Sequence, residues 1–546
     1  MPSNFNVGRY AETSICVCVR ASALSSFSTC DRCLRCIPLD INGLTYDERV
    51  AYLEAVPNNT PLTLFGYNMR TSSSHLRPSL IREMRLCGDE LADAVISTLP
   101  ESSTDLSVAV EAAAARGETA ACALLDACEL PGWADADRCA RGGALFFQNA
   151  PIFAVALLNL SLLGGFGAAA INETLVANRV LLGSRDRVHR RLIETLAFVL
   201  DVSSGSFLRG ERGFRAAVRV RLLHARVRQR VRTGMPHDGA GDRVATACPF
   251  RGGSGDAAGG AWDVSTKGMP INVADTLATQ LAFSLVILIG VERAGLAWHI
   301  SDEEEADFLH LWAVVGFLLG VPDDAVLNSF ARAPTAPAAS LLGARRMLES
   351  LVAYLAQPAA STRPLVLASI RAVAWRLPLC WTPADHVAVT SAFAGREYAR
   401  ALGMPSMLDA ELAETIMDAS PSTSFSAELA HVECAQPSLA VDSPQRARGG
   451  VLPGALTRAL FRVAYWGARA VVLVAGFFAG DWLWSFWPRD GTDAAVARGF
   501  ALLRPLGAWP IIVYLTPASL RGAFARTQQR ALYAYVARRL SNVQAQ

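Results

Sequence analysis

Apolar residues recur at spacings of three and four through most of this 546-residue chain, and runs alternating apolar with polar are scarce. That periodicity predicts an all-α protein. Several helix starts are legible. Ser301 followed by Glu304 is a capping box opening "DEEEADFLHLWAVVGFLLG". Thr382-Pro383 sets an N-cap before a proline at the first helical position of "ADHVAVTSAFAGREYARALG", which Gly403 ends. The segments "RDRVHRRLIETLAFVLDV" and 212–232 read as two further helices. The glycine-rich stretch 233–270 reads as a long loop, and the polar stretch 416–455 as a linker. The predicted organisation is an N-terminal arm over 1–40, one large helical domain over 41–415, the linker, and a hydrophobic tail over 456–546.

Three apolar segments raise the membrane question. Gly142 to Asn172 carries no charge and is long enough to span, but Gln148, Asn149, Pro151 and Asn159 favour buried helices. Thr276 to Val291 is charge-free but short, and reads as a core helix. The tail differs. It carries Trp466, Trp482, Trp484 and Trp487, then the charge-free "PLGAWPIIVYLTPASL". Tryptophans favour the membrane–water interface, so a membrane-associated tail is expected, against a helical subdomain packed on the core.

Composition agrees with a large buried core or a membrane contact: 52% of residues are hydrophobic and only 18% charged. Net charge is +2, so no overall field recruits nucleic acid. The basic charge is local, with thirteen arginines against four acids from Arg185 to Arg232. Of twelve cysteines, five crowd the N-terminus, where Cys30, Cys33 and Cys36 lack a matching second cluster for a metal site. The first 37 residues have no clean apolar signal core, so a transit peptide or a disordered arm fits them. No phosphate-loop, dinucleotide, G-x-S-x-G or H-E-x-x-H motif is present.

The unusual stretch is "RVRLLHARVR". On a helix, Ala217, Val220, Arg221, His224, Val227, Arg228 and Val231 share a face. An inward imidazole suits an iron porphyrin, and Arg221 and Arg228 could pair with its propionates or with acids of the protein. A satisfied core histidine explains the same pattern. Nucleic acid is disfavoured because Val and Leu interleave and aromatic residues are few. On the preceding helix, Arg191 and Thr195 lie one turn apart.

The stretches "RRLIETLAFVLDV", "RAAVRVRLLHARVR" and "KGMPINVADTLATQLAFS" resemble the catalytic domain of the rubber oxygenases (latex clearing proteins) and of the ER-bound oxygenase of mycophenolic acid biosynthesis. The likeness runs in order over about 80–410, including "RLCGDELADAVISTL", "LPGWADADRCARGGALFF" and "GREYARALGMP". It implies an all-helical domain holding haem b, with His224 as the iron ligand and Arg191 and Thr195 on the opposite side of the ring. Rubber oxygenases carry a lysine just before that threonine, where this chain has Glu194. A base expected upstream falls on Glu173. The implied activity is O₂-dependent cleavage or oxidation of C=C bonds in an isoprenoid-like apolar substrate at a membrane, the endoplasmic reticulum being one expected location. A non-catalytic haem- or lipid-binding membrane protein of the same fold is the alternative, kept open by Glu194.

Overall fold

A computed structural model describes residues 38–178, 181–233, 262–332, 336–376, 381–404, 502–503, 506 and 518–544. The N-terminal cysteines, most of the glycine-rich loop, the linker and the tail tryptophans Trp466, Trp482, Trp484 and Trp487 lie outside the described residues.

A small sheet comes first, which helical periodicity did not predict. Strand β1 (Leu39–Asp40) and helix α1 (Tyr46–Ala55) precede the hairpin of β2 (Pro61–Leu64) and β3 (Tyr67–Arg70). β2 is central, parallel to β1 and antiparallel to β3, with Leu62 opposite Met69 and Leu64 opposite Tyr67. The hairpin turns through Phe65 and Gly66, both at positive φ, the backbone sign that a two-residue turn needs to match strand twist. Ile41, Leu62 and Leu64 are buried beneath it.

Helices make up the rest. They are α2 (Pro78–Leu86), α3 (Glu90–Thr98), α4 (Leu106–Ala115), α5 (Thr119–Asp126), α6 (Ala136–Gln148) and α7 (Ala150–Ala156). A π-helical turn (Leu157–Leu162) leads into α8 (Leu163–Gly165) and α9 (Ala169–Ala177). Then come α10 (Arg185–Val202), α11 (Arg212–Thr233), α12 (Val264–Lys267), α13 (Val273–Phe283), α14 (Leu285–Arg293) and α15 (Asp302–Leu318). The last are α16 (Pro337–Leu355), α17 (Thr362–Val373), α18 (Pro383–Ala394), α19 (Arg396–Ala401) and α20 (Ala518–Gln544).

The core is built on α15 against α6. Phe308, Leu309, Leu311, Trp312, Val314 and Val315 are all buried, so α15 is apolar nearly all round. Gly142 and Gly143 let α6 approach closely: a Cβ there would stand 2.4 Å from the Asp307 carbonyl oxygen and 2.1 Å from that of Ser203. The Asp307 carboxylate bridges Arg138 (2.9 Å) and Arg141 (2.5 Å) of α6.

The uncharged stretch from Gly142 is sharply bent and not one straight helix. At Asn149 and Pro151 the chain turns by 87° between α6 and the α7–α8 segment, because proline cannot continue the first helix. Val273–Arg293 is long and apolar enough to cross a membrane by length and composition, but 61% of its most apolar window is buried inside the protein. "ADHVAVTSAFAGREYARALG", expected as one helix, is two. Gly395 stands at φ 78 and ends α18, and α19 restarts at once. The Ser301–Glu304 and Thr382 caps are present as read. At the far end, α20 packs on α10 and α6. Tyr533 donates to the Leu200 carbonyl at 3.0 Å, so the described part of the expected tail lies on the core.

Candidate functional site

A cavity of about 1840 Å³ lies among the α7–π-turn segment, α10, α11, α13, α14, α18 and α20. It exceeds the roughly 300–1,000 Å³ of ordinary ligand pockets, which leaves room for a flat macrocycle together with a long chain. Leucine, valine, isoleucine and phenylalanine dominate its wall.

The orientation of α11 is set from outside the cavity. Arg221 donates from Nε and Nη2 to both carboxylate oxygens of Asp89, at 2.6 and 3.0 Å. Two turns later, Arg228 pairs with Asp93 and donates to the carbonyls of Pro270 (3.1 Å) and Ile271 (3.0 Å). Both arginines are buried, and neither lines the cavity. Of the partners expected for them, propionates or protein acids, the structure supplies protein acids.

At ~100° per residue His224 lies about 60° round from Arg221, which turns it toward the cavity with Val220, Leu223 and Val227. Its ring makes no hydrogen bond to any described residue. Burial, and then the Arg228 charge, push the imidazole down to about 4, so it is neutral at pH 7. A neutral imidazole with a free lone pair facing an apolar cavity is the state an axial iron ligand requires. On the same helix, Arg219 and Arg226 also line the cavity and form no ion pair with a described carboxylate, Arg226 donating only to the Ser103 carbonyl at 3.2 Å. These two suit the carboxylates of a bound porphyrin better than Arg221 and Arg228 do. The residues present therefore fit haem. Among the described residues no three His, Cys, Asp or Glu side chains converge as a protein-only metal site.

The structure brings Arg191, Glu194 and Thr195 of α10 to the same cavity. Glu194 accepts from Arg190 Nε at 3.0 Å and Arg191 Nη1 at 2.8 Å, so two cations offset its charge. Thr195 donates to the Arg191 carbonyl one turn back, at 3.0 Å. Glu173 is not brought there. It is 43% exposed, pairs with Lys267 at 3.3 Å, and stands outside the cavity wall beside its lining neighbour Thr174.

Two cavity residues were missed by sequence reading. Asp275, in the first turn of α13, shares reciprocal 2.9 Å bonds with Asn272, but its Oδ1 has no partner. Burial outweighs the Arg85 charge and pushes this carboxyl up to about 7. The N-x-x-D cap inside "GMPINVAD" was the available signal. The other is His386, on α18.

Residues 153–420 match the family described as "ER-bound oxygenase mpaB/B'/Rubber oxygenase, catalytic domain". A solved structure titled "Structure of Latex Clearing Protein LCP in the closed state" aligns at a TM-score of 0.37 and 18% identity, covering 69% of this chain and 88% of that one. No curated protein matches the chain.

Proposed function

Because residues 153–420 match the family of ER-bound and rubber oxygenases, we propose that the protein is a haem b-dependent oxygenase that cleaves C=C bonds of a prenyl or other unsaturated apolar chain. One observation carries the reading. His224 presents a neutral, unpartnered imidazole to the apolar cavity that Arg191 and Thr195 also line.

His224 would hold the iron, and Arg219 and Arg226 would hold the ring carboxylates. When bound, the haem supplies activation of O₂. The protein's own residues do the rest. The roll of α11, fixed by the Arg221–Asp89 and Arg228–Asp93 pairs, holds His224 in one orientation. Arg191 supplies positive charge where negative charge develops on oxygen, and the Thr195 hydroxyl would donate there by turning its one proton away from the Arg191 carbonyl. Glu194 anchors the Arg191 guanidinium, which restricts where that charge can move. The leucine-rich wall excludes water and aligns the chain. Both atoms of O₂ end on the two carbons of the broken C=C bond, giving a pair of carbonyls. A substrate of this kind partitions into membranes, so we place the enzyme at a membrane surface.

The test is to incubate the purified protein with a prenyl chain under ¹⁸O₂ and weigh the products. One ¹⁸O in each carbonyl fragment is expected. Carbonyl fragments carrying oxygen from water alone, or no cleavage by haem-loaded protein, would refute dioxygenation.

A further inference from the structure

His386 has 2% of its surface exposed and stands in the wall of the cavity. Its Nδ1 lies 3.0 Å from Oδ1 of Asn159, which is fully buried. The Asn159 amide is itself oriented, because its Nδ2 donates to the Val155 carbonyl at 3.0 Å. Oδ1 is therefore the acceptor, and the imidazole carries its proton on Nδ1. That leaves Nε2 as a bare acceptor to which no described residue donates. Burial also pushes this imidazole down to about 4, so it carries no charge at pH 7.

The surroundings sharpen the point. Asn159 belongs to the π-helical turn Leu157–Leu162, and such turns are frequent at functional sites. Leu157, Leu158, Leu160 and Leu162 of that turn line the cavity. A second Asn–His pair lies away from the cavity wall, but through the other ring nitrogen: His299 Nε2 stands 2.8 Å from Asn149 Oδ1. An Asn–His bond alone is thus a packing device, and what distinguishes His386 is that it stands in the cavity wall with Nε2 unpartnered. A buried acceptor without a donor is unfavourable in an apolar wall, and a ligand hydroxyl would satisfy it.

We propose that His386 Nε2 accepts a hydrogen bond from a hydroxyl group on the apolar chain in the cavity, so the preferred substrate is a hydroxyl-bearing prenyl compound rather than a plain hydrocarbon. This rests on reading the cavity as a prenyl-chain site. A neutral acceptor also gives no attraction to a carboxylate, so the matching fatty acid anion is disfavoured.

The experiment compares all-trans-geranylgeraniol with the C20 hydrocarbon lacking the hydroxyl, titrated into the purified full-length chain and followed by tryptophan fluorescence. The alcohol should bind about two- to tenfold tighter, the range one neutral hydrogen bond gives. His386→Leu should abolish that preference and leave the hydrocarbon Kd within about twofold. His386→Gln, which keeps an acceptor, should retain part of it. Should the leucine variant not fold, the wild-type ¹⁵Nε2 resonance gives the answer, shifting with the alcohol and not with the hydrocarbon. A leucine variant that keeps the preference, or equal shifts with both ligands, overturns the assignment. Equal affinity of the wild type for both ligands overturns it while leaving the prenyl reading intact. Binding of neither ligand overturns both.

Discussion

Arg221 grips both carboxylate oxygens of Asp89, at 2.6 and 3.0 Å, and that pair decides which way His224, three residues on, points. The pair is buried and joins α11 to the N-cap of α3, since Asp89 also accepts from the Ala92 amide at 3.2 Å. The conspicuous arginines of the helix thus act on the imidazole through its backbone.

Removing one partner strands the other as a buried charge. Asp89→Ala should cost about 3–5 kcal/mol of stability. Glu194→Gln offers the contrast. Its arginine partners are 40% exposed or more, and the change should cost within about 1 kcal/mol. Urea denaturation of the two variants checks both values. Losses of similar size would remove the structural role given to Asp89.

The structure also fixes a sign for pH. His189, His224, His299, His310 and His386 are all pushed down to about 4, with burial the first cause each time. Their unfolded value is about 6.5, so between 4 and 6.5 the unfolded chain binds more protons. Stability from these groups is complete above about pH 6.5 and falls with pH down to 4, by up to about 1.4 kcal/mol per unit for each. Asp275 and Glu305, pushed up to about 7, act oppositely and lose stability as pH rises from about 4 to 7. Asp93 and Asp201, also raised by burial, act in the same sense as those two. The five histidines, depressed across the whole window, outweigh the four carboxyls, so the urea midpoint should climb from pH 4.5 to 6.5. A flat or falling midpoint contradicts the burial described.

Much of this was legible, and the limits have physical reasons. Capping boxes at Ser301 and Thr382 obey rules within four residues, so the helix starts could be read directly. The end of α18 could not, because a glycine inside a helical pattern is often tolerated and only its positive φ shows the break. Motif order singled out His224, Arg191 and Thr195, and the structure places all three on one cavity. Which arginines of α11 would be spent on protein acids was not readable, since Asp89 lies 132 positions from Arg221. Asn159 and His386 are 227 positions apart, and nothing local in either segment announces the pair.

Close helix contact gives a packing test. Gly143→Ala places a Cβ 2.1 Å from the Ser203 carbonyl oxygen, a backbone atom that cannot swing away. It should cost about 1–3 kcal/mol or more. Gly165→Ala meets nothing within 4 Å and should be neutral or slightly stabilising, as helix propensity alone dictates. Thermal melts separate the two. Equal melting temperatures would show that α6 has room to move.

The roles given to α10 predict a split between binding and turnover. Arg191→Ala and Thr195→Ala should lower product formation per haem by about 10-fold or more while leaving haem content near that of the wild type. Haem content and activity falling in proportion would make both residues structural.

His224 is tested most directly by the absorbance spectrum of the purified protein beside its His224→Ala variant. A protein that ligates haem through His224 shows a Soret band near 400 nm that the variant loses, or keeps only shifted and weakened. A wild-type protein expressed with ample haem and lacking that band, or a variant whose band is unchanged, would contradict the assignment of His224 as the iron ligand.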